Sequence, residues 1–142
     1  MEPFDPTRHV IGAECILDVE RRWPNFHDAE VHTLRFWRGD LRPDDSVWVF
    51  SVIDATVELA ALELPYLVDL RFHSCRDVKM SGFDEYNSIM DLSFAFESRG
   101  FAPDGVSPLL PFVRVDFEGT TSVDLTFRCL RVEVVGRREL PG

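Results

Sequence analysis

The stretch Val113-Arg114-Val115-Asp116-Phe117, followed shortly by Val123-Asp124-Leu125-Thr126-Phe127, decides the fold class of this chain. In both segments apolar and polar residues alternate with a period of two, as in a β-strand with one buried face. Gly119-Thr120-Thr121 lies between them and supplies turn residues. The sequence therefore predicts an antiparallel hairpin with all its large apolar side chains on one face.

Folding this hairpin about Thr120 predicts its register. The predicted cross-strand pairs are Phe117 with Val123, Val115 with Leu125, and Val113 with Phe127. The same register places Asp116 directly opposite Asp124 on the outer face, and such a like-charge pair costs stability unless it is compensated. Arg114, a bound cation or a cationic side chain of a partner could each provide the compensation.

Other segments also have strand character. Alternation, or a run of β-branched and aromatic residues, predicts strands at 29–38, 47–53, 66–73, 77–80 and 89–96. The first is mixed enough to indicate a bulge or a strand covered on both faces. Segment 55–64 is ambiguous between strand and helical turn. The apolar parity switches after Arg128, which predicts a bulge or bend near Cys129.

The remaining segments complete the predicted architecture. Residues 8–22 carry an apolar stripe at helical spacing, and Pro24 would end a helix there. Residues 98–111 hold two Gly and three Pro, which predicts a surface excursion. The prediction is a mainly β (α+β) fold over residues 1–142 as one domain. Its form is an antiparallel sandwich or a strongly curved antiparallel sheet, with the N-terminal helix covering one face or end.

Composition limits the classes of function. The chain has 25 acidic and 15 basic residues and a formal net charge of −10, so phosphate backbones should be repelled and nucleic-acid binding is not expected. No stretch is long and apolar enough to span a membrane, and the acidic, proline-containing N-terminus does not resemble a secretory signal. The three cysteines predict buried thiols in the cytoplasm, not a disulfide framework.

A second informative stretch is Trp23-Pro24-Asn25-Phe26-His27-Asp28-Ala29-Glu30-Val31. It combines a turn signal with three polar groups between apolar anchors. One interpretation is a site, with His27 as base or metal ligand and Asp28 or Glu30 as its partner. The other is structural: Asp28 completes the turn, His27 bonds a main-chain carbonyl and Glu30 is solvated. Metal sites need three or more converging ligands, which favours the structural interpretation.

The same stretch resembles the opening signature of the immunity protein 50 family of bacterial polymorphic toxin systems. The residues that carry this resemblance are Trp23, Pro24, Phe26, His27, Asp28 and Glu30. The similarity continues more loosely through 70–73, 81–89 and 115–118. It implies a cognate toxin inhibitor without catalysis or cofactor.

Three functions are therefore compared. The first is an immunity protein that covers a toxin's active surface with acidic and aromatic groups, against a toxin surface that is basic. Its candidate contact residues are Asp84, Glu85, Tyr86, Asp116 and Asp124, with Trp23, Trp37 and Trp48 as further possible anchors. The second is a metal-dependent enzyme built on His27, Asp28 and Glu30. The third is a ligand-binding β-domain. The sequence has no Gly-rich phosphate loop, nucleophile elbow or metalloprotease helix motif.

Overall fold

The structure, a computed structural model, describes residues 2–39, 52–83, 87–119 and 123–140. Trp48 and the candidate contact residues Asp84, Glu85 and Tyr86 lie outside the described residues, as does most of the predicted strand at 47–53. Within the described part the helical elements are a four-residue helix, α1 (Pro6–His9), and one 3-10 turn (Ala13–Cys15). The strands are β1 (Glu30–Gly39), β2 (Val52–Ala60), β3 (Tyr66–Ser81), β4 (Ile89–Glu97), β5 (Phe112–Gly119), β6 (Asp124–Cys129) and β7 (Arg131–Glu139).

These strands form one antiparallel sheet in the order β1-β2-β3-β6-β5-β4, with β7 also paired to β3. Because β3 is 16 residues long, it belongs to two halves of the sheet. Its first part pairs with β2 and β7, and we call this half sheet A. Its last part, from Arg76 to Ser81, pairs with β6, which continues to β5 and β4 as sheet B. The mainly β fold, strongly curved and antiparallel, is confirmed.

The curvature is built where β3 passes from sheet A to sheet B. Ser74 (φ 58°) and Asp77 (φ 54°) adopt left-handed backbone angles there, and the pairing shifts register on both sides of them. Such bulges bend a strand and increase its twist. The predicted separate strand at 77–80 is therefore the continuation of β3. The predicted bend near Cys129 is confirmed, since Leu130 separates β6 from β7.

The C-terminal hairpin has the predicted buried face but a different register. Phe117 pairs with Leu125, Val115 with Phe127 and Val113 with Cys129, two residues away from the prediction. Asp116 therefore lies opposite Thr126, and the predicted direct pairing with Asp124 is wrong. A shift of two residues keeps every side chain on its face, so the alternation in the sequence fits both registers equally well.

The curved sheet surrounds one cluster of buried apolar side chains. Phe72, Phe117 and Phe127 meet at its centre, with ring centroids 4.9–6.3 Å apart. Phe36 from β1 reaches the ring of Phe127 at 6.5 Å. Strands from both halves of the sheet thus share a core, and the burial of these large aromatic rings stabilises the curved arrangement.

The predicted helix at 8–22 does not form. Ile11 instead pairs with β7: its N–H donates to the carbonyl of Val132, and its own carbonyl accepts from Val134. Gly12 follows with φ 76°, and a Cβ there would lie 2.8 Å from the Val134 carbonyl oxygen. The backbone hydrogen bonds between Ile11 and β7, which lies more than a hundred residues away in the chain, outweigh the local helical pattern. The segment covers one side of the core, and its only helical parts among the described residues are the end of α1 and the 3-10 turn.

Three smaller expectations are also decided. β1 contains the expected bulge, between Val31 and Thr33. The ambiguous segment 55–64 is strand up to Ala60 and then turns. Cys75 and Cys129 are buried as expected, but Cys15 is exposed, because the turn that replaces the helix directs it to solvent. No helix among the described residues is long and apolar enough to cross a membrane.

Candidate functional site

The Trp23–Val31 stretch fastens the N-terminal segment to the edge strand β4. The Asn25 side chain accepts from the backbone N–H of His27 at 2.9 Å, which forms the predicted turn. The His27 ring Nδ1 donates to the carbonyl of Met90 at 2.6 Å. Asp28 has φ 61°, and its backbone N–H donates to Ile89 at 2.9 Å. These are the contacts that the structural interpretation of this stretch predicts, in which His27 bonds a main-chain carbonyl and Asp28 completes the turn.

The aromatic residues of the stretch supply packing. Phe26 is 2% exposed, and its ring centroid lies 5.8 Å from that of Trp23. Trp23 is half-buried, and it packs edge-on against Phe94 of β4. Glu30 begins β1 with an exposed side chain and bridges to Ser88, where the two edges of the curved sheet meet. The motif residues Trp23, His27, Asp28 and Glu30 therefore make contacts across the junction of the two sheet edges.

The proposed metal cluster does not assemble. His27 Nε2 lies 3.4 Å from the Asp28 carboxylate, and both side chains are about half exposed. Within residues 2–39, 52–83, 87–119 and 123–140, no three His, Cys, Asp or Glu side chains are grouped as metal ligands would be. The pair is better described as a capped turn than as a catalytic dyad.

The capped turn predicts the effect of His27→Ala. Loss of the 2.6 Å bond to the Met90 carbonyl should lower the free energy of unfolding by about 1 kcal/mol. Zn²⁺ should leave the melting temperature of the wild type unchanged, as differential scanning fluorimetry would measure. A Zn²⁺-induced rise of several degrees that disappears in His27→Ala would instead restore the metal-site interpretation.

A cleft of about 380 Å³ lies beside this stretch. Its walls include Trp23, Leu64 and Tyr66. Two of its charged groups neutralise each other, since Arg22 Nε donates to the Asp18 carboxylate at 2.9 Å. The cleft is large enough for a small molecule, and its lining also includes the polar residues Asn25 and Glu63.

The outer surface of sheet B carries charges in rows that only the strand register produces. Arg76 of β3 lies opposite Arg128 of β6, which lies opposite Arg114 of β5. We call these three the arginine row. Asp124 of β6 and Glu118 of β5 lie four positions further along the same strands, roughly 13 Å from the arginine row.

Asp91 of β4 pairs with Glu118, and together with Asp124 these exposed residues form what we call the acidic row. None of the three has an ion pair with another described residue. We call the outer surface of sheet B, with both rows, the charged face. Its polarity, basic at one end and acidic at the other, was not predicted from the sequence. The two rows depend on the cross-strand register, and the local sequence does not determine that register.

Asp116 lies between the two rows and is half-buried. Burial raises the pKa of the Asp116 carboxyl, the charge of Asp124 raises it further, and the Arg114 guanidinium lowers it. Although Asp116 and Asp124 are not directly opposite, they are close enough to repel each other. Arg114 provides part of the local compensation that the sequence suggested.

Within the arginine row the charges are unequally neutralised. Arg128 donates to Glu97 at 2.8 Å and to Asp77 at 3.0 Å. Arg76 and Arg114 form no ion pair with a described carboxylate; the Arg76 guanidinium instead lies 4.9 Å from the ring centroid of Phe112. Adjacent like charges on one face cost stability. This end of the charged face is therefore suited to accept an acidic group from outside.

A buried acid that the sequence did not single out lies beside the bend of β3. Asp54 is 3% exposed; its carboxylate accepts from Arg71 at 2.8 Å and from the Ser74 N–H at 3.1 Å. Burial acts to raise the pKa of Asp54, but these two bonds, with the charges of Arg71 and His73, lower it overall. Asp54 thus holds the backbone of the left-handed Ser74, at the point where β3 bends.

The chain matches no protein-family model, no curated protein and no solved structure.

Proposed function

We propose that this protein is an immunity protein that acts inside the cell, where it binds a cognate toxin of a polymorphic toxin system and covers its active surface. The observation that carries the proposal is the charged face. It is an open sheet surface whose acidic row forms no ion pair with another described residue. Groups of this kind recognise a complementary charged surface and accelerate association with it.

Two further observations support the proposal. The Trp23–Glu30 motif resembles that of the immunity protein 50 family, and here it serves to hold the N-terminal segment on the sheet. A structural motif of this type fits a binding protein that presents a rigid surface. The half-exposed His27–Asp28 pair, turned to the backbone of β4, gives no support to the metal-dependent enzyme.

The proposal is tested with the protein encoded by the gene adjacent to this chain's gene, which the proposal expects to carry a toxin domain, purified in an inactivated form. Glu118→Lys with Asp124→Lys reverses two of the three charges of the acidic row, at side chains that form no hydrogen bond with another described residue. The association rate constant at low salt should fall about tenfold or more, and the wild-type rate should fall as salt rises, because exposed charges are screened beyond ~8 Å at physiological ionic strength. Stopped-flow fluorescence measures both effects.

A matched control separates local from total charge. Glu14→Lys with Glu63→Lys changes the net charge by the same amount on exposed residues outside the charged face. Its association rate should stay close to that of the wild type. Equal rates for the wild type and both variants at low and high salt would exclude the charged face as the contact. Absence of any complex would overturn the proposed function itself.

A further inference from the structure

Residues 98–111, between β4 and β5, fold into a small hairpin of their own. The Ala102 N–H donates to Ser107 at 2.8 Å, and the Leu109 N–H donates to Gly100 at 3.0 Å. Asp104 accepts from the backbone of Val106 and from the backbone and hydroxyl of Ser107. We call this element the 98–111 hairpin. Its internal bonds order it in the absence of any partner.

The turn of the 98–111 hairpin is held by a charged carboxylate. The hydroxyl of Ser107, with the backbone N–H groups of Ser107 and Val106, lowers the pKa of the Asp104 carboxyl to about 2. The cap is therefore intact throughout the neutral pH range. A loop that is already ordered loses less conformational entropy when it binds, which favours tight association.

The ordered 98–111 hairpin exposes apolar side chains to solvent. Phe101 is 63% exposed, Val106 78% and Leu110 77%, and none of them joins the buried core. Isolated exposed apolar residues are normal on a protein surface. Three large ones on one short, internally bonded element form a patch, and such patches mark interaction sites.

The base of the hairpin adjoins the arginine row. Phe112, the first residue of β5, has the guanidinium of Arg99 4.5 Å from its ring centroid and that of Arg76 at 4.9 Å. Arg99 also donates to the Leu110 carbonyl at 3.4 Å. The apolar patch, the arginine row and the acidic row therefore follow one another along a continuous surface.

We propose that the 98–111 hairpin is the anchor of the toxin complex: Phe101 and Leu110 enter an apolar pocket of the toxin whose rim is acidic and pairs with Arg76 and Arg114. This inference rests on the proposed function and specifies the partner's surface. A few buried aromatic and aliphatic side chains, next to arginines, dominate binding energies at interfaces. The toxin surface is then acidic beside its pocket and basic only where it meets the acidic row.

A protein partner fits this surface better than a lipid bilayer does. Apolar loops flanked by arginines also occur on proteins that bind membranes, where anionic headgroups attract the cations. Here the chain carries a formal net charge of −10, so an anionic bilayer would repel the molecule as a whole. Two-signed charge along the surface is instead the arrangement of a specific protein interface.

The test uses a hairpin variant that combines Phe101→Ser and Leu110→Ser. Its control is the single substitution Leu62→Ser. Leu62 is 75% exposed, as Leu110 is, but lies in the turn between β2 and β3. Surface plasmon resonance with the same toxin domain should show a Kd weakened about 100-fold in the hairpin variant, mainly through faster dissociation. The control should stay within about twofold of the wild type, and melting temperatures check that each variant is folded.

Each other outcome has a distinct meaning. Wild-type binding with an unchanged Kd in the hairpin variant would overturn the anchor and leave the proposed function in place. Two further measurements are made. Sedimentation of the wild type alone tests self-association, and flotation with phosphatidylcholine–phosphatidylserine vesicles tests membrane binding. Self-association or vesicle binding that disappears in the hairpin variant would assign the patch to a second copy or to a membrane, and would also overturn the proposal.

Discussion

Phe127→Ala should lower the free energy of unfolding by about 3–5 kcal/mol, the range for deleting a buried aromatic ring. Phe127 is 2% exposed and contacts Phe36 of β1, Phe72 of β3 and Phe117 of β5. Its removal leaves a cavity at the point where both halves of the curved sheet meet. The melting temperature should fall by roughly 10–20 °C for a domain of this size.

Urea denaturation followed by tryptophan fluorescence measures the effect of Phe127→Ala. Phe101→Ala is the control, because Phe101 is 63% exposed and its truncation should change stability by less than about 0.5 kcal/mol. Equal stabilities for the two variants would show that the ring of Phe127 is not central to the core. The comparison also tests whether the exposed Phe101 is dispensable for folding, as a binding residue should be.

Asp54→Ala should cost about 2–4 kcal/mol, although it removes only one carboxylate. Arg71 loses its 2.8 Å carboxylate partner and the Ser74 N–H loses its acceptor, so the hydrogen bonds that connect β2 to the bend of β3 are removed. Asp54→Asn should cost less, because the amide oxygen can still accept one of the two bonds. Thermal unfolding at pH 7 measures the relative stabilities of the wild type, Asp54→Asn and Asp54→Ala.

The lowered pKa of Asp54 fixes the sign of the pH dependence. The folded state binds this proton more weakly than the unfolded state, so the stabilisation is complete above the ordinary Asp pKa of about 3.9 and is lost as the pH falls through the lower folded value. The stability difference between wild type and Asp54→Asn should thus be constant from pH 7 to about 5 and shrink below about 4. A difference that grows on acidification would contradict this assignment.

Asp69 and Asp116 contribute with the opposite sign. Burial raises the pKa of Asp69, as does the charge of Glu58, and burial and Asp124 raise that of Asp116. For these two groups the folded state binds the proton more tightly, so acidification relieves a cost. The comparison with Asp54→Asn cancels their contribution, because both carboxyls are present in each protein.

The sequence by itself determined which residues face the core. Val113, Val115 and Phe117 are buried as their alternation predicted, and the parity switch located the break at Leu130. Asn25 and Pro24 marked the turn that places Phe26 in the core. These features were predictable because burial on one face of a strand repeats every two residues, and turn chemistry acts within three or four residues.

Only the tertiary structure decided the hairpin register, the state of residues 8–22 and the composition of the charged face. A shift of two residues leaves the alternation unchanged, so Asp116 was placed opposite Asp124 when it lies opposite Thr126. Ile11 gained backbone bonds from β7 that a local helical pattern cannot anticipate. The arginine row and the pairing of Asp54 likewise join residues that are distant in the chain, because cross-strand contacts are set by the global packing of the sheet.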